Sequence, residues 1–117
     1  MSRNLLIRAD AGPEIGTGHV MRCLALAEPW LQAGAHVTLV SAHLPTLLAK
    51  RVQDSGVKLL SQPAVPGSSA DAKELAQLAV KQKADWIVVD GYHFDADYQR
   101  TLKNAGQRVL FFDDFEN

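Results

Sequence analysis

The stretch IGTGHVMRCLALA, residues 15–27, sets Gly16, Thr17 and Gly18 directly before a histidine and an apolar run of helical spacing. Two positions without side chains would let a ligand approach the backbone, with the N–H groups of a helix start facing it. A purely local backbone requirement for glycine accounts for the turn equally well. His19 would sit in the first helical turn, where the positive end of the helix dipole favours the neutral imidazole, and a neutral imidazole can accept a proton. Asp10, a few residues upstream, is placed to hold the other ring nitrogen and fix the tautomer, which suits a general base acting on water. The alternative is a histidine that caps the helix or hydrogen-bonds to a loop.

Arg22 follows His19 by one turn and could meet a phosphate or lie solvated. Tyr92 and His93 could line the same pocket, although a tyrosine with a wet hydroxyl is also an ordinary packing residue. Asp90, Asp113 and Asp114 could join His19 or His93 around a metal, but no close ligand spacing such as H-x-x-x-H supports one, and no metal is expected. Arg8 has no assigned role, and exposure near the end of a strand is its simplest account. Met21 stands where a dinucleotide fingerprint needs its third glycine, and strand two ends in Ser41-Ala42-His43 without the ribose-binding acid. No G-K-[ST] triplet exists for a phosphate-binding loop. No cofactor is expected.

These residues need a scaffold, and 117 residues allow one domain with a modest core. Apolar residues make up 47% and charged residues 21%, with a formal net charge of -1, so neither nucleic acid nor a membrane surface is an expected partner. Cys23 is the single cysteine, which rules out a disulfide within the chain and fits a reducing cytoplasm. The opening MSRNLLIRAD is too short in apolar residues for an export signal or a membrane span.

NLLIRA (4–9) reads as strand one, ended by the turn formers Asp10 to Pro13. Val20, Leu24, Ala27 and Leu31 form the buried stripe of a helix running from Gly18 to near Gly34, with a kink or early loosening expected at Pro29. AHVTLVSA (35–42) is strand two; a helix with Pro45 at its first position ends at about Asp54; VKLL (57–60) is strand three. Ser68 and Asp71 resemble a capping box ahead of a helix with Leu75, Leu78 and Ala79 inward. WIVVDG (86–91) has the unbroken apolar character of a central parallel strand. Asp95 caps a helix that stops at Gly106, and RVLFFDD supplies strand five. The alternation predicts an α/β, Rossmann-like parallel sheet of about five strands, order 3-2-1-4-5, with helices on both faces. Ligands would enter at the carboxyl ends of strands one and four, where the following helices leave to opposite faces.

The blocks RADAGPEIGTGHVMRCLALA, VVDGYHFD and LFFDD, in this order, resemble the N-terminal half of the UDP-2,4-diacetamido-2,4,6-trideoxy-β-L-altropyranose hydrolases of pseudaminic acid biosynthesis. Related spore-coat polysaccharide proteins share the first block. The resemblance implies a GT-B-like architecture of two Rossmann-like domains, with the uridine nucleotide held mostly by the C-terminal one and no metal needed. Water would attack the anomeric carbon with inversion and UDP would leave. The base would be His19; Tyr92 matches the family's loop tyrosine after strand four. The sequence ends at Asn117, where such a family continues, so the C-terminal nucleotide-binding domain is expected to be absent from this chain and the isolated chain to be close to inactive. Two other functions fit the same crevice: the acceptor-side domain of a GT-B glycosyltransferase, and a Rossmann-like binding module without chemistry.

Overall fold

A computed structural model describes residues 3–13 and 15–112. Five strands alternate with four helices among them: β1 (Asn4–Ala9), α1 (Gly18–Gln32), β2 (His36–Ser41), α2 (Thr46–Asp54), β3 (Lys58–Ser61), α3 (Ser69–Gln82), β4 (Trp86–Asp90), α4 (Ala96–Asn104) and β5 (Val109–Phe112). All pairings are parallel, in the order β3-β2-β1-β4-β5, as the sequence predicts. No helix among the described residues is long and apolar enough to cross a membrane.

The period-two alternation of β1 divides the core. Leu5, Ile7 and Ala9 pack with Val20, Cys23 and Ala27 of α1 and with Leu48 and Val52 of α2. Leu6 faces the other way, into Leu75 and Ala79 of α3 and Tyr98 and Leu102 of α4. α1 and α4, the helices that follow the neighbouring strands β1 and β4, therefore lie on opposite faces, and a crevice opens between them.

Three local expectations change. Pro29 does not loosen α1, which continues to Gln32; Ala25, whose carbonyl loses its donor, lies on the exposed side where water can serve it. Pro45 is the residue before α2, in an extended conformation, not its first helical residue. The Ser68 side chain accepts from the Asp71 N–H, but the Asp71 carboxylate turns inward, so half of the capping box is made.

Arg8 is the largest correction. It is fully buried, 0% exposed, because alternation turns it with Leu6 toward α3. Its Nε and Nη2 donate to Asp71, the latter at 3.0 Å, its Nη1 donates to Asp10 at 2.8 Å, and its guanidinium lies 5.0 Å from the Phe94 ring centroid. Tyr98 adds a hydroxyl donor to Asp71 at 2.8 Å. Burial works against the charge of Arg8, but the hydrogen bonds to Asp71 and Asp10 outweigh it and hold the guanidinium charged.

Candidate active site

Val88 packs on the α1 side of the sheet, and Asp90, two residues on, projects the same way from the end of β4. On α1, positions 19, 22 and 23 share one helical face. The two facts bring four side chains together. Nδ1 of His19 lies 2.6 Å from Oδ1 of Asp90; Arg22 donates from Nε to Oδ2 and from Nη2 to Oδ1, each at 2.7 Å; the Cys23 thiol lies 3.9 Å from Oδ2. A carboxylate that takes both Arg22 donors is an acceptor for Nδ1–H, so the imidazole carries its proton on Nδ1. Among the described residues Nε2 makes no hydrogen bond.

The orienting carboxylate is Asp90 and not Asp10, contrary to the sequence reading. Asp10 lies two residues beyond Arg8 and shares its side of β1, so its Oδ1 turns to Arg8 and not to Nδ1 of His19. Its Oδ1 accepts from Arg8, from the Ser41 hydroxyl at 2.9 Å and from the backbone N–H groups of Ala42 and His43. Burial alone would raise its pKa, but Arg8, the Ala42 N–H and the Ser41 hydroxyl together hold it below the usual carboxylate range. Burial, reinforced by the charge of Asp90, pushes the Cys23 thiol well up, so it remains protonated.

Tyr92 covers the imidazole edge to face, with ring centroids 4.9 Å apart, and is itself 67% exposed. His19 is left 5% exposed. Asp10, Ile15, His19, Asp90, Gly91, Tyr92, His93 and Phe94 enclose a cavity of about 10 Å³, room for one water. Gly91 is needed there: its φ is +156°, and a Cβ would come 2.7 Å from the Phe94 ring. Gly16, Thr17 and Gly18, between the cavity residues Ile15 and His19 in sequence, are exposed and do not line the cavity; Gly16 has φ +77° and exchanges backbone hydrogen bonds with Gly12, and a Cβ on Gly18 would meet nothing within 4 Å. Arg22 does not extend into solvent as a lone cation, since it forks onto Asp90 and its guanidinium lies 4.6 Å from the Phe112 ring centroid. Asp113 and Asp114 fall outside the described residues. Among the described residues no three His, Cys, Asp or Glu side chains converge into a metal-binding group.

The sheet order and the crevice are those of one Rossmann-like half of a GT-B-type fold. Two glycosyltransferases of known structure share it. A glycosyltransferase from Rickettsia africae matches with a TM-score of 0.68 at 13% identity, over 94% of this chain and 29% of its own. MurG from Acinetobacter baumannii matches with a TM-score of 0.63 at 17% identity, over 95% of this chain and 34% of its own. In sequence, the chain is 28% identical over 111 residues to the UDP-2,4-diacetamido-2,4,6-trideoxy-β-L-altropyranose hydrolase of Campylobacter jejuni, which bears out the resemblance read from its motifs. That match covers 94% of this chain and 36% of the hydrolase, so the chain spans about a third of its relative's length. No protein-family model matches the chain.

Proposed function

We propose that the chain is the base-bearing domain of a nucleotide-sugar hydrolase that releases UDP from a UDP-diacetamido-trideoxy-hexose, within pseudaminic acid biosynthesis. The observation that carries this reading is the His19–Asp90 pair at the switch point of the sheet, in a sequence similar to the Campylobacter hydrolase. Asp90 fixes the Nδ1–H tautomer and leaves Nε2 to accept a proton. The water oxygen attacks the anomeric carbon as its proton passes to Nε2. The bond from that carbon to the UDP oxygen breaks, with the electron pair leaving on UDP, and the anomeric configuration inverts. UDP is a good leaving group, so the base and the positioning of water dominate the requirement. Tyr92 closes over the imidazole, while the bare Gly16-Thr17-Gly18 rim admits the sugar or diphosphate. Arg22 acts on Asp90 and thereby on the imidazole.

The uridine is held by a second Rossmann-like domain, and this chain alone has little or no activity. The test uses the protein that carries both halves, incubated with the UDP-sugar in ¹⁸O-labelled water. Label at the anomeric hydroxyl, inverted geometry and free UDP support hydrolysis. The structural likeness to glycosyltransferases favours a second reading, an acceptor-side transferase domain. Transfer of the sugar to an added glycan, without label, would select it.

A further inference from the structure

Asp10 is a buried carboxylate with two unlike oxygens. Oδ1 accepts from four donors, whereas Oδ2, equally buried, has no hydrogen-bond partner among the described residues. A bare buried carboxylate oxygen is costly unless something donates to it. Asp10 borders the small cavity beside His19, whereas none of the residues that donate to Oδ1 does, which leaves Oδ2 as the carboxylate oxygen open to a donor placed there. The remaining cavity walls are Ile15, His19, Asp90, Gly91, Tyr92, His93 and Phe94, and Asp90 is already committed to His19 and Arg22.

We propose that Asp10 is a catalytic carboxylate, whose Oδ2 holds the attacking water by one hydrogen while Nε2 of His19 takes the other. This rests on the hydrolase reading and goes beyond it, because it gives a residue committed to the fold a place in the reaction. The division of labour follows from the environments. His19 receives the proton as the water oxygen bonds to the anomeric carbon and UDP departs with the bonding pair. Asp10 takes no proton. It fixes the direction of the oxygen lone pair, and Arg8 keeps it anionic in both the ground and the reacting state. The Arg8 cluster thus serves the site as well as the core.

The first measurement is a crystal structure of the chain at about 1.5 Å or better. A water within hydrogen-bond distance of both Asp10 Oδ2 and His19 Nε2 is expected; an empty cavity, or a water bound to only one of them, overturns the assignment. The second is the kinetics of Asp10→Asn in the two-domain protein. The amide would turn a donor toward the water, so kcat should fall on the order of 10²-fold with KM changed less than about threefold. Leu102→Ala disturbs the core on the same side of the sheet, away from the cavity, and should keep kcat within about threefold. Equal losses in the two variants would reduce Asp10 to a structural role. If Asp10→Asn fails to fold, the wild-type water still decides. Absence of UDP release by the wild type removes the hydrolase reading, whereas UDP release without a bridging water removes the Asp10 assignment alone.

Discussion

Nδ1 of His19 and Oδ1 of Asp90 lie 2.6 Å apart, across 71 residues of sequence, because the end of β4 and the first turn of α1 meet on one side of the sheet. Asp90 also carries Arg22, so one carboxylate sets the orientation of an imidazole and a guanidinium together. The pair should be measurable in the chain itself. In Asp90→Asn the side-chain amide can donate to Nδ1, and the imidazole proton should move to Nε2. Nitrogen chemical shifts of the His19 ring read the tautomer directly; an unchanged Nδ1–H form would show that Asp90 does not set it.

Arg8 should be the most expensive polar residue to remove. Arg8→Ala strands two carboxylates in the interior, and loss of one partner of a buried pair costs about 3–5 kcal/mol. Urea unfolding should show a loss in that range. A change below about 0.5 kcal/mol would mean that Asp10 and Asp71 relax to solvent without it.

Acid should weaken the fold through Asp10. Its folded pKa lies below the unfolded value of about 3.9, so its stabilisation is complete above that pH and disappears as pH falls through the folded pKa. The unfolding free energy should therefore drop below about pH 4, and Asp10→Asn should lower stability at pH 7 while flattening that acid slope. A variant with the wild-type slope would place the acid sensitivity in another carboxylate.

Cys23 should be chemically silent while the chain is folded. It is fully buried, and burial together with Asp90 keeps it protonated. A thiol reagent at pH 8 should label it only at the rate of unfolding; fast labelling of the native chain would contradict its placement.

The alternation was legible because each strand and helix announces itself by period and by turn residues, and the order 3-2-1-4-5 is among the few that right-handed crossovers with two covered faces allow. His19 and Tyr92 were legible as neighbours for the same reason. The partner of His19 was harder to read. Asp10 and Asp90 both end central strands, and which one reaches α1 depends on the parity of the side chain along its strand: Asp10 shares the side of Arg8, Asp90 that of Val88. Arg8 was misread because an arginine in a strand suggests an exposed end, while its partner Asp71 lies 63 residues away in a position that also reads as a helix cap. Long-range ion pairs leave no local pattern.

Gly18 allows a role in binding to be told apart from a role in the fold. Gly18 opens α1 at a point where a Cβ meets nothing, so Gly18→Ala should change stability by less than about 1 kcal/mol. If the substrate crosses this rim, the same variant should raise KM severalfold in the two-domain protein. Unchanged kinetics would place the substrate elsewhere.

The most direct measurement of the central claim is single-turnover release of UDP by the two-domain protein with His19→Gln, which keeps size and polarity but cannot accept the proton. A fall on the order of 10²–10⁴-fold, with the substrate still bound, is the result expected of a lost general base. Release within about twofold of wild type by a folded His19→Gln protein would show that the imidazole is not the base.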